Sequence, residues 1–315
     1  MKKILHTLFF ALFALCLSAQ SLTDLAKQAG DENAKGNYLR AIEIYNDIIA
    51  AEPNTGKWYL YRGQLYSILT DLKKSEADYS KAIELTPQYC DAYLSRAILY
   101  FTINQSERSI NDYNNALRYL KDENLRVFIY NNRGNAKSLR KDLQGAYNDF
   151  QKAYQLDPKS ISTLDNLGKT LNQMGRGEES LMYFKKIIEL DTNNVSVHSD
   201  VAYTLLNLQR FQESIEQYDL VLAKSPDSPL ALSNRGLAKM NLLDYEGALD
   251  DAARAIKMYP QSAYSFRNRG MIYVAMGKTT EGCSDFKQAL HLGFSKKYDS
   301  EVDEFYKHYC STTKF

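Results

Sequence analysis

The sequence predicts an all-α solenoid of eight or so helix pairs, each about 34 residues long, closed by a C-terminal capping helix. Three observations predict it. The first is periodicity: the stretch VFIYNNRGNAKSLRKDLQGAYNDFQKAYQLDPKS, residues 127–160, falls on itself repeatedly when shifted along the chain by its own length. Copies start at Leu22, Gly56, Cys90, Val127, Ile161, Val195, Pro229 and Ala263. The second is an alternation of small and large residues at fixed positions, described below. The third is proline: of six in the chain, Pro53, Pro87, Pro158, Pro226 and Pro260 all occupy position 32 of a copy. A proline there stops a helix and sets the turn into the next copy. Helix pairs this short cannot bury their own apolar faces, so the copies must stack on their neighbours.

Position 8 is small throughout (Ala29, Gly63, Ala97, Gly134, Gly168, Ala202, Gly236, Gly270), and so is position 20 (Ala41, Ser75, Ser109, Ala146, Ser180, Ser214, Ala248, Gly282). Position 24 is aromatic in seven copies: Tyr45, Tyr79, Tyr113, Phe150, Phe184, Tyr218 and Phe286, with Ala252 in the remaining one. Small residues let helices approach, and the aromatic fills the gap between successive pairs. On these residues the stretch from Leu22 to Lys296 resembles the tetratricopeptide repeat family. The resemblance implies a right-handed superhelix whose first helices line a concave face, and a function in binding a protein or an extended peptide there.

Residues 1–20 stand apart from the array. Met1-Lys2-Lys3 precedes an apolar run from Ile4 to Ala19, with polar sequence at Gln20 and Ser21. The run is short for a membrane span and fits a secretory signal peptide cleaved near Ala19 or Gln20. An uncleaved anchor is the alternative. Cys16 raises lipid attachment, against which stands Leu15, too large for the small-residue site that attachment needs. Cleavage takes the formal charge from +1 to −1 by removing Lys2 and Lys3, and leaves no integral membrane span. The expected location is the periplasm or envelope of a bacterium.

The first copy (22–55) is the least regular, as terminal repeats are. Between the third and fourth copies the period slips to 37 through Lys121-Asp122-Glu123-Asn124-Leu125-Arg126, which reads as a longer turn or a local change of curvature. After residue 296, Val302, Phe305, Tyr306 and Tyr309 recur at helical spacing, the pattern of a helix (297–315 with its tail) covering the last copy's open face.

Chemistry-bearing patterns are sparse. His198, His291 and His308 lie far apart, and no HExxH, GxSxG or phosphate-cradling glycine loop occurs. The expectation is no enzyme, no cofactor and no metal. With 39 Lys and Arg against 38 Asp and Glu in no long runs, no basic stripe exists to hold nucleic acid.

Position 7 carries Arg62, Arg96, Arg133, Arg235 and Arg269, and position 23 of the same five copies carries Asp78, Asp112, Asp149, Asp251 and Asp285. In the other three copies both disappear together: Gln28, Leu167 and Val201 face Ile44, Tyr183 and Gln217. Residues that come and go together predict structural ion pairs between first and second helices, within a copy or across the joint.

Position 6 of copies 4 to 8 carries Asn132, Asn166, Asp200, Asn234 and Asn268. The family resemblance places this position on the concave face, where asparagines grip a bound peptide's backbone. A carboxamide suits that task because it both donates and accepts. The competing reading is asparagine tolerated on a wet surface. Position 2 of the same copies is Phe128, Ser162, Ser196, Leu230 and Tyr264, which lacks the basic residues of a carboxylate clamp. Cys283 and Cys310 are the candidate disulfide, since an exported chain meets conditions in which such bonds persist. Two separate thiols are the alternative, and Cys90 remains as a packed residue.

Overall fold

A computed structural model describes residues 22–298 and 300–310. The segment read above as a signal peptide, with Cys16, lies outside the described residues. Among the described residues every regular element is a helix, and the chain divides into two compact units, residues 1–157 and 158–315.

The first unit stacks four helix pairs: α1 (22–34) with α2 (Tyr38–Ala51), α3 (Gly56–Ile68) with α4 (Leu72–Leu85), α5 (Cys90–Thr102) with α6 (Ser106–Tyr119), and α7 (Arg126–Leu139) with α8 (Leu143–Leu156). The insertion before α7 forms one 3-10 turn, Glu123–Leu125, in which the Asp122 side chain accepts from the Asn124 amide. Arg126, the first residue of α7, ion-pairs with Glu123 and pins that turn to the helix.

The second unit stacks α9 (Ile161–Gln173) with α10 (Gly177–Leu190), α11 (Val195–Asn207) with α12 (Phe211–Lys224), α13 (Pro229–Asn241) with α14 (Tyr245–Met258), and α15 (Ala263–Ala275) with α16 (Thr279–His291). Two further helices, α17 (Phe294–Lys297) and α18 (Glu301–Cys310), cover α16. Val302 is fully buried, and Phe305, Tyr306 and Tyr309 pack against Phe286 and its neighbours. Each unit is an all-α solenoid segment.

Seven of the α-helices begin where a side chain satisfies a free amide. Ser160, Asn194, Ser228 and Ser262 cap α9, α11, α13 and α15, while Asp71, Asp142 and Asp244 cap α4, α8 and α14. Between the two helices of every pair, position 15 adopts positive φ: Gly36, Thr70, Asn104, Lys141, Gly175, Gln209, Leu243 and Gly277. That left-handed residue is what reverses the chain so tightly.

Packing explains the small positions. A Cβ added at Gly168 would stand 2.4 Å from the Phe184 ring, and one at Gly134 would stand 2.5 Å from Phe150. In these copies the ring at position 24 lies directly on the backbone at position 8, leaving no room for a Cβ. Three of the four serines at position 20 add a buried hydrogen bond to the same strip: Ser109 donates to the Ala97 carbonyl, Ser180 to Gly168 and Ser214 to Ala202, each at 2.8 Å.

Candidate functional site

The arginines of position 7 are bound inside the fold. In each of five repeats, Nε and Nη2 lie on the two carboxylate oxygens of the aspartate at position 23: Arg62 on Asp78, Arg96 on Asp112, Arg133 on Asp149, Arg235 on Asp251 and Arg269 on Asp285, at 2.5–3.0 Å. These are fork-to-fork contacts within one repeat, the geometry a guanidinium is pre-shaped to make. In four of the five the remaining nitrogen crosses to position 25 of the preceding repeat: Asn46, Ser80, Asn114 and Asp219. Alternatives that the sequence left open are therefore both present, the carboxylate within the repeat and a lighter contact across the joint. Lys137 and Lys239 add a second cation to Asp149 and Asp251, each at 2.8 Å. Bonding to Asp251 raises the Arg235 pKa above its usual value.

Cys283 and Cys310 form a disulfide, with Cα atoms 5.6 Å apart, that ties α16 to the end of α18. Cys90 stays a thiol; its Sγ faces the Ala116 carbonyl at 3.4 Å, and burial pushes its pKa up.

The position 6 ladder requires correction. Asn234 is 3% exposed and Asn268 fully buried, so neither is a rung open to a peptide backbone. The reason is close approach of α13 and α15. Asn268 Nδ2 donates to both the carbonyl and the hydroxyl of Ser233, and its Oδ1 accepts from Arg267. Its polar atoms are already engaged. Asn132 and Asn166 are half-buried, and Asn132 donates to the Phe128 carbonyl one turn back in its own helix. Asp200 is half-buried, its carboxylate 3.6 Å from Lys169, which also holds Asp165 at 2.8 Å. Burial pushes the Asp200 pKa above its ordinary value, with Lys169 opposing.

What the first helices offer instead are recesses, found in each unit. In the first unit a recess of about 430 Å³ lies over α3 and α5, lined by Tyr61, Gln64, Ile68, Ser95 and Ile98. In the second a recess of about 620 Å³ opens over α11, α13 and α15. Asp200, Tyr203, Leu230, Asn234 and Tyr264 line it, with Tyr218 of α12 and Tyr298 beyond α17. Tyr264 stacks against Phe294 and Tyr298, at ring-centre distances of 6.4 and 5.8 Å. Leu230 and Tyr203 are 59% and 42% exposed, so apolar surface faces solvent beside the polar groups.

Sequence reasoning missed position 9, occupied by Gln64, Ile98 and Tyr203, and missed Tyr298. The first had a readable signal: position 9 lies on the same helix face as position 6, one turn further along. Tyr298 follows the repeats and lies in no register. Among the described residues no cluster of His, Cys, Asp and Glu could hold a metal, and no helix is long and apolar enough to cross a membrane.

Family models for the tetratricopeptide repeat match residues 59–89, 160–190 and 199–263. The chain is similar to mouse (Mus musculus) DnaJ homolog subfamily C member 7, 30% identical over 132 residues, which are 40% of this chain and 27% of that protein. It is also similar to the Hsp70-Hsp90 organizing protein of Triticum aestivum, 29% identical over 100 residues, 30% of this chain and 17% of that one. The chain thus spans less than a third of either relative. Its fold matches the crystal structure of YrrB, described as a TPR protein with an unusual peptide-binding site. That match has a TM-score of 0.53 at 20% identity and covers 60% of this chain and 95% of YrrB. With one helix pair per repeat, a ring over position 8 in most pairs and three matching family models, the chain is a tetratricopeptide repeat protein.

Proposed function

We propose that this chain is an exported scaffold that binds a protein or an extended peptide segment on the face made by its first helices. The observation that carries the reading is the recess over α11, α13 and α15. It combines exposed apolar side chains (Tyr203, Leu230) with the half-buried Asp200 carboxylate, over a buried Asn234 whose Oδ1 has no hydrogen-bond partner. Concave sites that bind ligands join apolar walls to a few fixed polar groups in this manner. The position 7 guanidiniums supply no competing chemistry, since they are consumed by their aspartates.

Export is part of the proposal. It rests on the basic start and apolar run of residues 1–19 and on the Cys283–Cys310 disulfide, a bond that persists in oxidising compartments such as the periplasm.

The test is a pull-down from envelope extract with the chain from Ser21 onward, beside a Tyr61→Ala/Tyr203→Ala variant of equal helicity. Both tyrosines are substantially exposed, so their removal spares the core. A partner held by the wild type and lost by the variant supports the reading. A partner held equally by both overturns it, and favours the alternative, a structural subunit of a cell-envelope complex held through the convex face and the caps.

A further inference from the structure

We propose that the second unit's recess receives the side chain of a lysine or arginine from the bound peptide. This rests on the peptide-binding reading above and specifies what the site selects.

Three features of the recess point to a cation. The first is unmet demand for donors. Asn234 Oδ1 and the Tyr218 hydroxyl are both buried and neither has a hydrogen-bond partner at ordinary distance and angle; the two lie near enough for only a weak bond to each other, the hydroxyl donating. A buried polar group without a partner is costly and is uncommon away from functional sites. The Asp200 carboxylate in the same wall can only accept, and its complement is a group rich in N–H.

The second is charge. Asp200 is the one carboxylate lining the recess among the described residues, and its close cation, Lys169, stands 3.6 Å away while bound more tightly to Asp165. A half-buried carboxylate with so loose a partner gains from a second positive charge, because attraction strengthens as water is excluded. An acidic ligand would meet Asp200 with no cationic side chain among the described residues lining the recess to offset it.

The third is the rings. Tyr203, Tyr264 and Tyr298 line the same space, and their faces attract cations. The second unit already uses that chemistry next door: Arg267 lies 5.9 Å from the Tyr264 ring centre and 5.6 Å from that of Phe305. The charge of Arg267 is matched by Glu301, to which it donates twice, so it does not close the recess to another cation. The apolar stem of an arginine or lysine also suits Leu230, which lines the same recess as Asp200.

The experiment uses the chain from Ser21 and an array of randomised octapeptides with acetylated N-termini and amidated C-termini, which excludes recognition of chain ends. Selected peptides are resynthesised, and their affinities measured by fluorescence anisotropy against wild type, Asp200→Asn and Tyr203→Ala. The expected result is enrichment of one Lys or Arg per peptide. Replacing that residue by Gln should weaken binding about tenfold, roughly the strength of a desolvated ion pair with a cation–π contact. The same replacement should have little further effect on Asp200→Asn, since coupled groups are not additive. Tyr203→Ala, altered at a half-exposed position, gives an independent arm in which folding is not at issue. Peptides that bind with neutral or acidic side chains, or that are indifferent to both substitutions, overturn this inference and leave peptide binding standing. A folded chain that selects no peptide overturns both.

Discussion

Arg235 lays Nε and Nη2 on the two oxygens of Asp251 and points its remaining nitrogen at Asp219 of the preceding repeat. One side chain therefore fastens two helices of its own repeat and a third from its neighbour. Asp251 is fully buried and also carries Lys239, so its charge is held by two cations. Removing the carboxylate alone leaves Lys239 without that acid and Arg235 with only Asp219. Asp251→Ala should lower stability by roughly 3 kcal/mol or more, as breaking one side of a buried pair does. Arg235→Leu should be milder, because Lys239 still compensates the acid. Urea unfolding followed by circular dichroism measures both; equal losses would refute the asymmetry.

Gly168 lies under the Phe184 ring, and a Cβ there would come within 2.4 Å of it. Gly168→Ala should therefore destabilise by about 1–3 kcal/mol despite alanine's better helix propensity. Adding Phe184→Leu should return part of that loss by making room. A single variant as stable as wild type in thermal melts would show that the ring moves aside freely.

The turn between α13 and α14 reverses at Leu243, which holds φ at 66° and exposes 71% of its surface. Three of the eight equivalent positions are glycine, for which this conformation carries no steric penalty. A leucine there costs about 1–2 kcal/mol and packs against little that compensates. Leu243→Gly should thus stabilise the chain, by about 1 kcal/mol once glycine's freedom in the unfolded state is set against the relief. A fall in melting temperature would contradict it.

The repeat frame was legible in the sequence because backbone packing imposes it: no residue but a small one fits at Gly168 beneath Phe184, and proline after α4, α8, α12 and α14 can only end a helix. The pairing of Arg62 with Asp78 and its four analogues was legible because each partner is useless without the other. The site was less so. Asn268 and Asn132 occupy the same register, yet one is sealed beneath Ser233 and the other half-exposed. That difference arises from how closely α13 meets α15, a distance no single repeat encodes. Tyr298 joins the recess from outside the register altogether, through the short helix that turns the chain back onto α16.

The Cys283–Cys310 bond spans a sequence separation of 27 and encloses the last turn, α17 and α18. By the chain-entropy estimate it contributes about 3–4 kcal/mol, all of it to the cap. Replacing both cysteines by serine should raise amide exchange in α18 and α16 while leaving the first unit's exchange unchanged. Uniform exchange across α16 and α18 in oxidised and cysteine-free chains would remove the cap's dependence on the bond.

Asp200 connects stability to binding. Burial holds its folded pKa above the ordinary value of 3.8, so between that value and the raised one the folded chain binds more protons than the unfolded chain. Stability then falls as pH rises through this window, and at neutral pH the ionised carboxylate is a net burden. Asp200→Asn should therefore be at least as stable as wild type at pH 7 and lose that advantage below pH 4, as read from urea midpoints at the two values. A group that lowers the stability of the free fold, yet lies among tyrosines at the mouth of a recess, is what a binding site trades for affinity. An Asp200→Asn chain that is less stable than wild type at pH 7 would instead make Lys169 a full partner, and would return Asp200 to the ordinary ion pairs of the scaffold.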